Sequence, residues 1–181
     1  MKKRYLFIIW ILALILSFFI DKWFIDFIIA LRNPILDEFM KWISYIGTSV
    51  IILFIITALF LYEERKRRWI LPLIMSALIA LLFSNIFKYV FMRSRPDVLQ
   101  LVTETNPGFP SNHATVAFST LPILNKEFPK IKLFWIVFVF LIAFSRIYLG
   151  VHYLSDVVAG GLLGYSISTL VLYIRRRLFK H

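Results

Sequence analysis

The chain has 181 residues, of which 60% are hydrophobic and 17% are charged, whereas an ordinary soluble domain carries about 25% charged residues. This composition excludes a soluble globular domain and predicts one integral membrane domain over residues 1–181. The net charge of +11 does not indicate nucleic-acid binding, because the basic residues are spread among short segments between apolar runs. The lack of cysteine excludes disulfides, thiolate catalysis and cysteine-bound metals.

Six apolar segments are long enough, or nearly long enough, to cross a bilayer core, which needs about 20 residues per helix. They are Tyr5–Ile20, Trp42–Tyr62, Trp69–Phe91, Ser111–Leu124, Leu133–Leu149 and Leu154–Ile174. The first has the basic start of a signal peptide but no small-residue cleavage site, so it is predicted to be a retained anchor. Residues 21–41 mix aromatic and charged side chains around Pro34, which predicts short interfacial helices between the first two spans. The predicted fold is an all-α bundle of six transmembrane helices.

Basic residues predict the orientation, because cytoplasmic loops near span ends are enriched in Lys and Arg. Of the 21 Lys and Arg residues, 14 fall into four clusters at residues 2–4, 65–68, 126–132 and 175–180. Six spans place all four clusters on one side, so both termini are expected in the cytoplasm. Among the other seven, four lie in or beside unusually polar stretches near the opposite face: Lys88, Arg93, Arg95 and Arg146. We therefore expect a functional site on the extracytoplasmic face of the cell membrane.

The first polar stretch runs from Lys88 to Pro96. Lys88 and Arg95 lie seven residues apart, close to two helical turns, so on one helix both cations point the same way. Pro96 disfavours helix at Arg95 and is expected to end it. Taken alone, this stretch fits cations that extend to the membrane surface better than it fits a binding site. Arg93 is expected to face lipid headgroups.

The second stretch, Pro110-Ser111-Asn112-His113, has the composition of a helix N-terminus and precedes an apolar run of about 12 residues. A helix N-terminus offers free backbone N–H groups and a partial positive charge, so it can hold an anion. The run is short for a span, which predicts that this N-terminus lies below the membrane surface. Taken alone, Ser111 is best explained as a helix cap, and His113 fits a surface position or a functional one.

The third stretch runs from Ser145 to Asp156. His152 and Asp156 are four residues apart, so on a helix the carboxylate can accept the Nδ1 proton and leave Nε2 free as a nucleophile. A buried structural pair explains this spacing equally well when the stretch is taken alone. Metal binding is disfavoured, because His181 is the only further histidine besides His113 and no carboxylate cluster completes a site.

Taken together, the patterns Lys-x6-Arg-Pro, Pro-Ser-x-His and Ser-Arg-x5-His-x3-Asp resemble, in order, the three motifs of the type 2 phosphatidic acid phosphatase superfamily. The long apolar segments are similar to its membrane branch. The resemblance implies a phosphohistidine mechanism without metal or cofactor, in which His152 attacks phosphorus, Asp156 orients it and His113 protonates the leaving oxygen. The residues implied to hold the phosphoryl group are Lys88, Arg95, Ser111, Asn112 and Arg146. Asn112 stands where the family usually has glycine, which lets backbone approach a phosphate closely, so the local geometry is expected to differ.

The expected substrate is a lipid whose phosphate lies in the outer leaflet and whose tails remain among the spans. Undecaprenyl or another isoprenyl diphosphate is slightly preferred, followed by phosphatidylglycerol phosphate and phosphatidic acid; lipid A phosphates are also candidates. Two alternatives are a transporter, whose polar residues are expected near the bilayer midplane, and a non-enzymatic lipid-phosphate binding protein. The expected partners are the substrate and membrane lipids, without nucleic acid. The oligomeric state stays open, because Gly160-x3-Gly164 is expected to pack within the monomer.

Overall fold

The computed structural model describes residues 3–48, 59, 62–63 and 65–178. Its six α-helices are α1 (Lys3–Ala30), α2 (Pro34–Thr48), α3 (Ile70–Phe91), α4 (Asn112–Glu127), α5 (Lys132–Tyr148) and α6 (Leu154–Leu178). Within the described part, four segments are long and apolar enough to cross a membrane: Phe7–Ala30, Arg67–Phe91, Pro129–Tyr148 and Leu154–Leu178. The predicted all-helical, multi-pass membrane fold is therefore confirmed. The predicted second span, Trp42–Tyr62, lies mostly outside the described residues.

The first helix is longer than predicted and continues to Ala30. Ser17, Asp21, Ile25 and Ile28 follow one another at intervals of four, four and three residues, and each is at most 5% exposed. This spacing places all four on one helix face, which packs against the rest of the bundle. The prediction of short interfacial helices is wrong for residues 21–30, because this buried face continues α1 without a break.

The helix at the centre of the bundle is α4, which has 16 residues. Residues 114–121 are all buried, because α3, α5 and α6 pack around this helix. Two glycines on α6 permit the closest approach. A Cβ at Gly164 would lie only 1.9 Å from the carbonyl oxygen of Thr115, and one at Gly160 would lie 2.6 Å from that of Ser111. The glycine pair therefore serves contacts within this chain.

The helices bring charged residues to two opposite ends of the bundle. The site end is formed by the last residues of α3 and α5, the first residues of α4 and α6, and the loop of residues 92–111. The basic end is formed by the opposite helix termini, at residues 65–68, 126–132 and 175–177. Its clusters meet around Trp69, with Lys126 Nζ 4.0 Å and Arg175 Cζ 4.2 Å from the ring centroid. Three of the four predicted basic clusters therefore lie together.

Candidate active site

Lys88 and Arg95 reach one cavity by a different route from the predicted one. The helix α3 ends at Phe91, where Met92 adopts a left-handed conformation with φ of 45°. Arg95 consequently lies in the loop that follows, four residues beyond the helix end. The prediction that a seven-residue spacing aligns the two cations on one helix is wrong, because the chain turns before Arg95.

Backbone carbonyls hold both of these cations. Lys88 Nζ donates to the carbonyl oxygen of Pro107 at 2.5 Å, and Lys88 is only 2% exposed. Arg95 Nε donates to the carbonyl of Asn106 at 2.8 Å, and Arg95 Nη1 donates to that of Val151 at 2.6 Å. An ammonium has three donors and a guanidinium five. Both side chains can therefore bind an anion while these carbonyls fix their positions.

Ser111 and Asn112 start α4 as predicted. Ser111 is the N-cap, and its Oγ accepts a hydrogen bond from the backbone N–H of Ala114 at 3.5 Å. The Asn112 side chain accepts from Ser84 Oγ at 2.6 Å and donates to Asn85 Oδ1 at 2.9 Å. The Asn112 amide therefore connects α4 to α3, and glycine at this position would lack both contacts.

His152 precedes α6 by two residues, yet it contacts the predicted carboxylate. Its Nδ1 lies 3.3 Å from Asp156 Oδ2, and its Nε2 lies 3.3 Å from Arg95 Nη1. Because a guanidinium can only donate, this geometry assigns the proton to Nδ1 and a lone pair to Nε2. Burial lowers the pKa of His152, and the nearby charge of Arg146 lowers it further. The imidazole is therefore neutral near pH 7.

Arg146 is 1% exposed and is held from two sides. Its Nη1 donates to Ser44 Oγ, and its Nη2 donates to Glu104 Oε1. The other oxygen of Glu104 lies 3.6 Å from Arg95 Nη2. Glu104 bridges two guanidinium groups that were predicted to hold a phosphate, and it was not among the predicted site residues. The available signal was an acidic residue in the loop between the first two motifs.

The prediction that Arg93 faces lipid headgroups is wrong. Its Nη1 donates to Asp156 Oδ1 at 2.6 Å, and its Nη2 donates to Asp21 Oδ2 at 2.8 Å. The loop after α3 directs this side chain into the protein, where it contacts the carboxylate that pairs with His152. Asp21 was also missed as a site residue, although a carboxylate at the end of a long apolar segment signals a buried polar contact.

These side chains surround a cavity of about 190 Å³ at the site end. Five of the eight predicted site residues line it: Lys88, Arg95, Asn112, His113 and His152. The other three, Ser111, Arg146 and Asp156, are buried. Arg146 and Asp156 contact residues that line the cavity, and Ser111 caps α4 beside it. Leu81, Glu104 and Asn106 complete the lining. Among the described residues, no group of three or more His, Asp and Glu is placed to hold a metal ion.

Fold and site together define a multi-pass membrane protein with two histidines and several cations around one cavity. The PAP2 superfamily model matches residues 69–180, which is more than half of the chain. The chain therefore belongs to the PAP2 superfamily, and the predicted family is confirmed.

Two curated relatives are similar over most of their length. An undecaprenyl-diphosphatase from Sulfolobus acidocaldarius is 32% identical, with 96% of this chain and 93% of the relative covered. Phosphatidylglycerophosphatase B from Bacillus subtilis is 31% identical, with 79% and 77% covered. The crystal structure of a transmembrane PAP2 type phosphatidylglycerolphosphate phosphatase from Bacillus subtilis matches with a TM-score of 0.79 and 26% identity, over 98% of each chain. The predicted enzyme class is a phosphoric monoester or acid anhydride hydrolase, and these phosphatase relatives confirm a phosphoric monoester hydrolase.

Proposed function

We propose that this protein hydrolyses a phosphate ester or diphosphate of a membrane lipid through a phosphohistidine intermediate. The observation that carries this proposal is the pair of contacts that the two ring nitrogens of His152 make at the cavity. Its Nδ1 faces Asp156 and its Nε2 lone pair faces Arg95. A neutral imidazole whose Nε2 carries a lone pair, beside several cations, is equipped to attack an anionic phosphoryl group once that group takes over the Arg95 donor.

In the first half-reaction, phosphoryl oxygens bind to Lys88, Arg95 and Arg146. Because these oxygens take over the donors of Arg95, the lone pair of His152 becomes available. Nε2 forms a bond to phosphorus while the bond from phosphorus to the leaving oxygen breaks. The bound phosphoryl anion offsets the surrounding cations, so His113 carries an added proton in the complex, donates it to that oxygen and becomes neutral. The fixed cations stabilise the negative charge of the transferring group, a part that magnesium plays in other phosphoryl transfers.

In the second half-reaction, water enters on the side that the leaving group has vacated. His113 now accepts a proton from this water, whose oxygen bonds to phosphorus. The bond between phosphorus and Nε2 breaks, so phosphate leaves and His152 returns to its neutral form. Asp156 keeps the proton on Nδ1 and stabilises the positive charge that the ring carries in between.

The cavity volume restricts how a lipid binds. Its volume of about 190 Å³ is below the roughly 300–1,000 Å³ of typical sites for drug-sized ligands. The phosphoryl group therefore enters the cavity while the hydrocarbon chains remain between helices and membrane.

The relatives act on lipids that differ in their tails, by their names undecaprenyl diphosphate and phosphatidylglycerophosphate. We favour an isoprenyl diphosphate substrate, with phosphatidylglycerol phosphate and phosphatidic acid next. We further propose one domain over residues 1–181, cytoplasmic termini and an extracytoplasmic site.

Phosphate release by the purified full-length chain tests this proposal. Undecaprenyl diphosphate, phosphatidylglycerol phosphate and phosphatidic acid are supplied in mixed micelles, with excess EDTA. We expect turnover of at least one lipid, inhibition by vanadate, and a labelled protein after a brief reaction with a ³²P-labelled substrate. The label should be stable in base and labile in acid, as expected of phosphohistidine.

The matched control is Arg177→Gln at the basic end. It removes an exposed charge far from the cavity, so we expect normal labelling and turnover. If turnover disappears in EDTA and returns with a divalent metal, the metal-free mechanism is wrong. If all three lipids are bound but none is hydrolysed, a lipid-phosphate binding protein replaces the enzyme.

A further inference from the structure

Arg93 connects three segments directly behind the candidate active site. Its Nη1 donates to Asp156 Oδ1 and to Ser155 Oγ, each at 2.6 Å, and its Nη2 donates to Asp21 Oδ2 at 2.8 Å. The side chains of Asp21 and Asp156 are 7% and 0% exposed. A single guanidinium therefore balances two buried carboxylates.

Asp21 also holds the beginning of α6. Its Oδ1 accepts a hydrogen bond from the backbone N–H of Ser155 at 2.8 Å, and its Oδ2 accepts from the Ser155 hydroxyl. Ser155 is the second residue of α6, whose first backbone N–H groups have no partner within the helix. A carboxylate from α1 thus caps the helix that carries Asp156. The interaction is favourable because the helix dipole is positive at this end.

These contacts determine how the Asp156 carboxylate is turned. Arg93 binds Oδ1, whereas Oδ2 accepts from the backbone N–H of Tyr153 at 2.9 Å and faces His152 Nδ1 at 3.3 Å. Without Arg93, the carboxylate loses the partner that keeps Oδ1 turned away from His152. The carboxylate can then rotate and leave the Nδ1 proton without its acceptor.

We propose that Arg93 and Asp21 are positioning residues for His152, acting through Asp156. This proposal rests on the proposed function, in which Asp156 orients the nucleophile. Asp21 lies outside residues 69–180, the part of the chain that the family model matches. The helix α1 therefore contributes to the reaction as well as to the membrane anchor.

Steady-state kinetics of Arg93→Gln, Arg93→Lys and Asp21→Asn test the proposal. Displacing a reacting group by about 1 Å costs up to roughly 10²-fold in rate, so we expect kcat to fall about 10- to 100-fold in Arg93→Gln with KM nearly unchanged. Arg93→Lys keeps the charge and should lose less. Asp26→Asn is the matched control, because Asp26 is exposed on the same helix as Asp21, and its kcat should equal that of the parent.

A double-mutant cycle separates positioning from general destabilisation. If Arg93 acts through Asp156, adding Arg93→Gln to Asp156→Asn should lower kcat by less than about twofold further. The ¹⁵N NMR signals of His152 should show a mixed tautomer in Arg93→Gln and a single Nδ1–H tautomer in the parent. An unchanged kcat in Arg93→Gln, or an equal loss with and without Asp156, overturns the proposal. A parent chain without any hydrolysis instead overturns the proposed function.

A second cavity, at the basic end, supports an independent inference. It has a volume of about 720 Å³ and lies among α1, α4, α6 and the start of α5. Three cations line it, Lys126, Lys132 and Arg176, and no carboxylate of the described residues does. Asn125 Oδ1 and Ser166 Oγ, on two of its lining residues, are buried atoms without a hydrogen-bond partner in the described part. Buried polar atoms are normally hydrogen-bonded, so these two indicate a polar ligand.

The remaining lining residues are mainly apolar: Phe7, Trp10, Pro122, Leu170, Leu172 and Tyr173 among them. Three cations together with mainly apolar side chains match the headgroup and the tail of an anionic lipid. We infer that this cavity binds an anionic phospholipid from the leaflet at the basic end. This lipid is separate from the substrate, because α4 and α6 run from the candidate active site at one end to this cavity at the other.

Native mass spectrometry with phosphatidylglycerol and phosphatidylcholine tests this inference. Near a membrane surface each Lys or Arg adds about 1 kcal/mol of attraction to anionic lipid. Replacing Lys126, Lys132 and Arg176 together by glutamine should therefore weaken phosphatidylglycerol binding at least about tenfold. The control triple variant carries glutamine at Arg67, Lys130 and Arg177, which lie at the same end but do not line the cavity.

The variant Ser166→Trp fills the cavity without changing the charge, and it should prevent binding of phosphatidylglycerol. Equal weakening in the cavity variant and the control variant indicates general surface attraction and overturns the site. Unchanged lipid binding in Ser166→Trp also overturns the proposed lipid site. This is the result expected if another part of this chain occupies the cavity.

Discussion

The two ends of the bundle carry the same types of cation in opposite environments. At the site end, Lys88 is 2% exposed and the side chains of Arg95 and Arg146 are 9% and 2% exposed. Carbonyl, hydroxyl and carboxylate oxygens hold all three. At the basic end, the Lys126 side chain is 41% exposed and lies over an aromatic ring.

Burial of the cations, and not their number, distinguishes the candidate site from the basic end. An exposed cation over an aromatic ring gains about 0.5–1 kcal/mol. A charge removed from water costs several kcal/mol unless partners compensate it. The basic end therefore carries its cations at a small cost in free energy. The cations at the site end carry a larger free-energy cost, as expected of buried charges that take part in binding or chemistry.

The two ends are expected to lie on opposite sides of the membrane, which gives an all-or-none prediction. Single cysteines replace Thr103 at the site end and Arg176 at the basic end, in a chain that has no other cysteine. Both positions are exposed in the folded chain. An impermeant thiol reagent should label only the first in intact cells and both after permeabilisation. Labelling only of Arg176→Cys in intact cells reverses the proposed orientation.

The next largest effect is expected for the nucleophile. His152→Ala removes the nitrogen that bonds to phosphorus, so kcat should fall by about 10⁴-fold or more. Arg175→Gln at the basic end should stay within about twofold of the parent, because it loses only a ring contact with Trp69, far from the cavity. Phosphate release and ³²P labelling of both variants measure the difference. If His152→Ala still forms a phosphoenzyme at the parent's rate, another residue is the nucleophile.

His113 is expected to matter only when the leaving oxygen needs a proton. General acid catalysis contributes about 10²–10⁴-fold, so His113→Ala should lose that much with a lipid monophosphate. With a nitrophenyl phosphate or a diphosphate, whose leaving groups are more acidic, phosphoenzyme formation should be much less impaired. Single-turnover measurements on both substrate types test this difference. Equal losses on both assign His113 to positioning the phosphate.

One arginine-to-lysine substitution at each end of the bundle compares how strongly activity depends on the guanidinium group at that end. Arg146→Lys cannot reach both Ser44 and Glu104 with one ammonium, so we expect a loss of about tenfold in kcat/KM. Arg175→Lys keeps a cation near Trp69 and should be unchanged within about twofold. Assays of both variants, with thermal melts as a check on folding, measure the contrast. Equal activity in the two lysine variants means that Arg146 acts only as a point charge.

The smallest effect is expected for Glu104→Gln. The carboxylate of Glu104 occupies Arg95 and Arg146, so it competes with an incoming anion for both guanidinium groups. Without its charge, vanadate should inhibit about three- to tenfold more strongly, equivalent to about 0.7–1.4 kcal/mol. Inhibition curves for the variant and the parent measure this shift. Weaker inhibition in Glu104→Gln shows instead that the carboxylate is needed to hold the two guanidinium groups in place.

The sequence by itself determined the helical membrane class, the family and most of the residues around the cavity. Long apolar segments must satisfy their backbone polar groups internally, so helices are predictable from composition. The cap of α4 at Ser111 and the contact between His152 and Asp156 span only three or four residues. Short separations leave few alternative geometries, which is why these contacts were predictable.

Only the tertiary structure decided which distant side chains complete the site. Arg93 and Asp21 are 72 residues apart, and Arg146 and Glu104 are 42 apart. Whether Arg93 faces lipid or protein depends on the turn at Met92 and on the packing of α1 against α6. The turn at Met92 leaves no local pattern in the sequence, and the carboxylate of Asp21 signals a buried polar contact without identifying its partner. The buried stripe of α1 becomes distinguishable only once the helices are packed, and that packing places Asp21 behind the candidate nucleophile.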